Sequence, residues 1–410
     1  MRLEDVDLCN LDVWEQRVPH EMFAVLRREA PVFWHKEPKG GPGFWAITKH
    51  ADVVHVSKQP KIFSSWRGGT NIFDLPQPEL DQTRLMLVNM DPPQHTKYRR
   101  LVSQGFTPRQ VARLEPHIRE LASQIIDRVA PKGECDFVTE VAAELPLLVI
   151  AELMGVPVED RRLIFDLSNR LIGFDDPEFQ TSMEDGKQAA AEMWAYAQEL
   201  AERRRREPHN DLVSQLLNAE VDGERLTEME FNFFFLLLAV AGNETTRNLI
   251  SGGMLALFEH PDQKEKLLAH PELLPTAVEE MLRWISPVIC FRRTATQDTE
   301  LRGQKIREGD KVVMFYISAN RDEEVFERAD QFDITRSPNE HLAFGIGEHY
   351  CLGSNLARLE IRIMFEEILR RLPDIELAGQ PRRLRSNFIS GIKSMPVRFT
   401  PERRRAVAGA

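Results

Sequence analysis

Between Thr227 and Glu259 the chain carries a segment that can only be the inside of something. Thr227-Glu228-Met229-Glu230 is a capping box, in which the threonine hydroxyl and the second glutamate each satisfy the other's backbone donor. The run Phe233-Phe234-Phe235-Leu236-Leu237-Leu238-Ala239-Val240 that follows is apolar on every face. A helix of that kind must be buried on all sides. The pattern predicts one helix from about Thr227 to Glu259 as the central element of a domain. The longest apolar run, Phe233 to Gly242, has ten residues, and a membrane span needs ~20.

Helical periodicity continues elsewhere, from about Pro19 to Ala30, Pro116 to Ala130, Val138 to Leu153, Asp185 to Arg206 and Leu273 to Trp284. Strand-like pieces are short and cluster at Pro31 to Ile47, Val288 to Val313 and Met395 to Thr400. The expectation is a mainly α fold with a small β region (about 31–70, 288–313 and 395–400), folded as one unit over residues 1–410. Net charge is −11, from 53 basic and 64 acidic residues, which argues against nonspecific nucleic-acid binding. Cys9, Cys135, Cys290 and Cys351 form no CxxC and no framework. That suits a reducing cytosol and argues against structural zinc. Met1-Arg2-Leu3-Glu4-Asp5 starts no signal peptide, so a soluble, cytoplasmic protein is expected. The clusters Arg203 to Arg206 and Arg403 to Arg405 read as solvated faces.

Two features stand out chemically. Inside the buried helix lies Ala241-Gly242-Asn243-Glu244-Thr245-Thr246-Arg247, a polar step that is costly without partners. One reading has Thr245 bonding back to a carbonyl one turn earlier while Glu244 finds a cation. The other has Gly242 opening a groove beside a cofactor and Glu244 with Thr245 carrying protons. The second feature is Cys351, in the glycine-punctuated loop Phe344 to Gly353 that runs into an amphipathic helix ending at Leu372-Pro373. A thiol at a helix N-terminus has its pKa lowered and is poised to bind metal or attack carbon. A packing cysteine, a dinucleotide loop, a nucleophile assisted by His349 and a haem-iron thiolate are all compatible with the loop alone.

Two weaker pairs accompany these. Glu280 and Arg283 stand three apart on one helix face, an arrangement common on surfaces. His95 and Arg99 stand four apart after Asp91-Pro92-Pro93, a spacing that suits two contacts to one anion.

Taken together, Phe344-x-x-Gly347-x-His349-x-Cys351-x-Gly353, Ala241-Gly242-x-Glu244-Thr245-Thr246, Glu280-x-x-Arg283 and His95-x-x-x-Arg99 resemble the motifs of the cytochrome P450 family in order and separation. The resemblance spans nearly the whole chain and is to the soluble bacterial members. It implies a monooxygenase that inserts one atom of O2 into a C–H bond of a hydrophobic substrate. Its cofactor would be haem b (iron protoporphyrin IX). Cys351 would be the metal ligand, with Phe344 beside the sulfur. His95, Arg99, Arg293 and His349 would bind the haem propionates. Glu244 and Thr245 would be the catalytic acid–alcohol pair for proton delivery, and Glu280, Arg283 and Arg336 a structural charge network. The chain has no flavin, dinucleotide or iron–sulfur motif. The resemblance therefore implies electrons from NAD(P)H through a ferredoxin reductase and a ferredoxin, drawn to basic residues among Lys97, Arg99, Arg100, Arg109, Arg113, Arg358 and Arg362, of which Arg99 and Arg358 can turn inward and need not belong to the surface.

Val240 to Asn248, Val278 to Trp284 and Phe388 to Lys393 resemble, more narrowly, the actinobacterial members that oxidise terminal methyls of sterol side chains and methyl-branched lipids. Val240, Ala241, Val288, Ile289, Phe388, Ile389 and part of the Trp66–Phe73 loop are the pocket linings this implies. Alternatives are a hydroxylase of terpenes or fatty acids, a peroxygenase that needs no electron partner, and a haem sensor or carrier without turnover. A sensor has no need of Glu244 and Thr245 in a buried helix.

Overall fold

The computed structural model describes residues 1–221 and 223–402; the basic tail Arg403 to Arg405 lies outside the described residues. Eight helices position the site: α1 (Gln94–Ser103), α2 (Pro108–Val129), α3 (Glu144–Met154), α4 (Arg161–Ile172), α5 (Met183–Arg206), α6 (Glu228–Glu259), α7 (Leu274–Ile285) and α8 (Ser354–Arg371). α6 is the predicted central helix. Thr227 caps it, and the reciprocal Thr227–Glu230 capping box is present. Helices α3, α4, α5, α7 and α8 all pack against it. Phe231, Phe233, Phe234 and Phe235 are buried. Two of its glycines allow close approaches of α7. A Cβ on Gly252 would lie 2.9 Å from Ile285, and one on Gly253 2.9 Å from Met281.

The β region forms mainly one five-stranded sheet built from β1 (Val32–His35), β2 (Phe44–Ile47), β3 (Phe63–Ser64), β4 (Cys290–Ala295) and β5 (Lys311–Phe315), in the order β1-β2-β5-β4-β3. The β2–β5 pairing is parallel and the rest are antiparallel. Pro396–Arg398 instead joins Glu134–Asp136 and Glu376–Leu377 in a separate small sheet. The sequence pattern gave no sign of those two partners, each only two or three residues long.

Helix boundaries shift where local chemistry competes with periodicity. α2 begins at Pro108, capped by Thr107, and runs through Pro116. Pro116 and Ala112, whose carbonyl loses its partner there, are both exposed, so water can take the missing donor's place. The expected helix from Val138 to Leu153 is divided into a π turn, Val138–Ala142, and α3. Arg204 departs from the expected solvated cluster: it reaches Asp211 at 2.5 Å and the Gly155 carbonyl at 2.6 Å. Among the described residues, no helix is long and apolar enough to cross a membrane.

Candidate active site

The loop 344–353 arrives at α8 through two positive-φ glycines, Gly345 and Gly347, the backbone region that favours glycine. Gly347 is also pressed against the Ser57 carbonyl, 3.1 Å from where a Cβ would sit. This places Cys351 three residues before α8, with its N–H donated to the Phe344 carbonyl at 2.9 Å. Its sulfur faces a cavity between α6, α8 and the loop, with about 1600 Å³ of atom-free space, part of it open to solvent. Thr245, His95, Arg99, Arg293, His349 and Phe344 line the same cavity.

Burial is the dominant influence on the thiol and pushes the pKa of Cys351 up. The Gly353 N–H, Arg99 and Arg358 pull the other way without overcoming it. The loop geometry alone therefore does not yield the low-pKa thiol expected at a helix N-terminus. A bound cation would be needed to hold the thiolate.

Among the described residues, no carboxylate bonds the basic side chains around the cavity. Arg293 is buried and, among the described residues, donates to the Arg292 carbonyl at 2.9 Å. Arg99 donates to the carbonyls of Glu348 (3.3 Å) and Tyr350 (2.6 Å). The rings of His95 and His349 are 4.2 Å apart, and no carboxylate pairs with either among the described residues. Burial, then Arg99 and Arg293, lower the pKa of His95 to about 4. Burial, then Arg293, His95 and Arg99, hold His349 well below its ordinary value. Two buried histidines kept from protonating by neighbouring arginines, and two arginines lowered by burial with no bonded carboxylate among the described residues, make a site suited to negative charge. A group with two carboxylates and a thiolate-seeking metal fits this donor set, and haem is such a group.

The polar step in α6 is divided. Thr245 lines the cavity, but its hydroxyl donates to the Ala241 carbonyl at 2.9 Å. Glu244 turns away from the cavity, is fully buried, and pairs with Arg247. Arg247 is held in turn by Asn169 of α4 at 2.7 Å. Burial raises the pKa of Glu244, with Arg247 opposing. The two catalytic candidates are thus adjacent in sequence but not hydrogen-bonded to each other. Gly242 lines the cavity as well, and it also admits α3: a Cβ there would meet Ile150 at 2.6 Å.

Glu280 and Arg283 are buried rather than a surface pair, joined at 2.7 and 2.8 Å, with Arg336 at 3.1 Å from Glu280. Of the basic residues expected to attract a partner, Lys97, Arg100, Arg109 and Arg113 are exposed. Arg358 is bound to Glu279 (2.6 Å), and Arg362 to Glu115 and Glu366 (3.1 and 2.9 Å). Arg99 turns to the loop, so these three do not contribute to a free positive surface.

Of the expected pocket linings, Ala241 and Val288 face the cavity. Ile289 and Ile389 are core, while Val240 is partly buried against the core. Phe388 and the Asn71–Phe73 part of the loop line a second cavity. Sequence reasoning missed Glu360 of α8, which lines the first cavity fully buried with one carboxyl oxygen unpartnered. It also missed the Asn169 contact to Arg247. A glutamate inside the apolar face of the α8 pattern was the available signal for the former.

The family model described as Cytochrome P450 matches residues 149–387. A steroid C26-monooxygenase of Rhodococcus jostii is 46% identical over 405 residues, covering 97% of this chain and 85% of that protein. A methyl-branched lipid omega-hydroxylase of Mycobacterium tuberculosis is 46% identical over 410 residues, covering 97% and 95%. Among solved structures, a Mycobacterium marinum cytochrome P450 in complex with pseudoionone superposes with a TM-score of 0.89 at 42% identity, over 96% of this chain and 98% of that one.

Proposed function

The chain belongs to the cytochrome P450 family of oxidoreductases, and from that premise we propose that it hydroxylates a terminal methyl group of a sterol side chain or a methyl-branched lipid. The observation that carries the reading is the cavity in which Cys351 and four basic side chains, none bonded to a carboxylate among the described residues, converge beneath an apolar wall of α6. The relatives' printed activities supply the substrate class.

Family membership implies haem, dioxygen and electrons from redox partners. We assign haem b, with NAD(P)H as the electron source through a ferredoxin reductase and a ferredoxin. When bound, haem supplies the oxygen chemistry: one atom of O2 goes into the C–H bond, and two electrons and two protons convert the other to water.

The chain's own residues do the rest. Cys351 would hold the iron as thiolate, its ionised form favoured by the Gly353 N–H, Arg99 and Arg358. Arg293, Arg99, His95 and His349 would hold the two propionates. Leu237, Leu238, Ala241, Val288 and Phe291 present apolar surface to the substrate and exclude water. Thr245 Oγ1, with its proton donated to Ala241, turns its lone pairs to the cavity and can accept a hydrogen bond there. Passing a proton inward requires it to rotate off that carbonyl. Glu244 is the nearest acid in sequence, and it can exchange protons only when it leaves Arg247.

The test is a Soret-band titration of the haem-loaded protein, followed by product analysis. A sterol with an intact side chain, or a methyl-branched lipid, should shift the band and yield the terminal alcohol. A small terpene or straight-chain fatty acid binding tightly where neither of these binds would overturn the substrate class. A reduced, CO-bound spectrum without the red-shifted thiolate band would overturn the haem–Cys351 assignment.

A further inference from the structure

A second cavity lies on the far side of the turn that carries Phe388. It holds about 1530 Å³ of atom-free space, part of it open to solvent, and is walled by the N-terminal segment, the 37–42 and 71–74 loops, Phe174, Asp175 and the 385–388 turn. A row of phenylalanines separates it from the thiol cavity. Phe73 contacts Phe174 (centroids 5.4 Å), Phe174 contacts Phe388 (6.1 Å), and Phe388 contacts Phe291 (5.7 Å), which lines the first cavity. The turn is anchored to the strand edge by Ile289 N–H to the Phe388 carbonyl and Ser390 N–H to the Pro287 carbonyl, both 2.9 Å. The Phe291–Phe388 pair is therefore the partition between two chambers, both largely apolar, of which the second also carries acidic side chains.

The second chamber carries charged groups in an otherwise apolar lining. Its lining ionisable groups are Glu37, Asp74, Asp175 and Arg385, together with the Cys9 thiol. The cations that reach its wall are already engaged. Arg385 bonds Asp12 at 2.8 Å. Lys311 bonds Glu37 at 2.7 Å and Asp74 at 2.8 Å. Arg292 bonds Asp74 at 2.7 Å. The thiol registers the resulting field: burial, then Asp7, Glu37 and Asp175, push Cys9 up to about 12, with Lys311 alone opposing among its named neighbours. The Asn71 side chain lines the chamber and hydrogen-bonds to no described residue, leaving both a donor and an acceptor.

We propose that this chamber receives the uncharged oxygenated end of an elongated substrate, a hydroxyl or ketone, and selects against a carboxylate there, while the apolar tail passes Phe291 and Phe388 into the thiol cavity. The proposal rests on the reading of a long sterol or branched lipid as substrate. A hydroxyl entering here can accept from the Asn71 amide and donate to a carboxylate. A carboxylate must shed water beside Glu37, Asp74 and Asp175 and meets no unengaged cation among the described residues. Selection at the end remote from the reaction is then electrostatic, and tail recognition is apolar.

The experiment is a Soret titration of the haem-loaded full chain at low salt near neutral pH, checked by calorimetry. The ligands are a matched pair: one methyl-branched skeleton carried as the primary alcohol and as the carboxylic acid. The alcohol should bind tighter by roughly tenfold or more. Asp74→Asn removes one of the two carboxylates that hold Lys311 and should strengthen acid binding, shrinking the ratio. Asp74 is half-exposed, which makes this a tolerable change. Asp175→Asn should shrink the ratio in the same direction without touching the Lys311 and Arg292 pairs. Equal affinity of the two ligands for the wild type, or a ratio unmoved by both variants, overturns the chamber's selectivity and leaves the lipid reading standing. Failure of both ligands to bind would instead overturn the lipid reading and this proposal with it.

Discussion

Replacing Glu280 by glutamine changes one atom of a buried carboxylate, and the structure allows its cost to be worked out. Oε1 accepts from Arg283 Nη2 (2.7 Å) and the Asp333 N–H (2.9 Å). Oε2 accepts from Arg283 Nε (2.8 Å), Arg336 Nε (3.1 Å) and Asn339 Nδ2 (3.1 Å). Glutamine retains one acceptor oxygen. Placed at Oε2 it keeps three bonds and turns its own N–H groups against Arg283 Nη2 and the Asp333 N–H. A lost bond from a charged donor costs about 1.5–3 kcal/mol and a stranded buried N–H about 1–3 kcal/mol. The arginines also lose their counter-charge in a site with no solvent access. The sum, about 3–6 kcal/mol, is comparable to the ~5–15 kcal/mol that holds a typical domain folded. Arg283 further ties down the carbonyls of Asn320, Ala329 and Gln331, which lie on the approach to the thiol loop. Glu280→Gln should therefore lower the urea midpoint of the holoprotein at unchanged m-value and reduce the fraction showing a thiolate-haem CO spectrum. A loss below about 1 kcal/mol would refute the reasoning, since it would mean the donors find other acceptors without strain.

Thr245→Ala should keep haem and substrate binding but release more hydrogen peroxide and less product per NADH, read by coupled product and peroxide assays; unchanged coupling would remove Thr245 from proton delivery. Burial raises Asp176, but Lys393 and the N–H groups of Arg385 and Glu178 more than offset it, so its pKa lies below the ordinary 3.8. Its contribution is present above that value and lost as pH falls below it, so Asp176→Asn, which leaves Lys393 its bond to Glu178, should cost about 1–3 kcal/mol at neutral pH and progressively less in acid, measured by urea midpoints across pH. Burial alone holds Glu360 well above 4.5, so the folded state keeps a proton that the unfolded chain releases as pH rises past 4.5. Glu360→Gln should therefore gain stability over wild type with increasing pH, by up to about 1.4 kcal/mol per unit, and a flat difference would show the carboxyl has found a partner. Reduction by ferredoxin should slow with salt and with charge reversal at Arg100 or Arg109, both exposed, while reversal at Arg203 should have no effect.

What the sequence made legible was whatever is enforced by one local pattern. The capping box and apolar run defined α6 because no other conformation buries Phe233 to Val240 while satisfying its backbone. The Cys351 loop was legible because glycines at 345 and 347 are needed for positive φ, which few other residues tolerate. The residues His95, Arg99, Arg293 and His349, scattered over 255 positions, line one cavity. Only their order within a family pattern suggested that; periodicity could not. The features that stayed hidden are those decided by a distant partner. Glu244 faces Arg247 rather than Thr245 because Asn169, on another helix, fixes the guanidinium. Gly242 lines the cavity as expected, but its contact with Ile150 of α3 is a tertiary matter that no local pattern shows. Arg362, which read as surface charge, is drawn down by Glu115 and Glu366. The sign of the Cys351 shift failed for the same reason: the loop supplies the stabilising N–H, but how deeply the thiol is buried depends on α1, α6 and α8 closing over it. A charge's sequence neighbours reveal what could stabilise it, while its burial, which here outweighs them, is a property of the assembled fold.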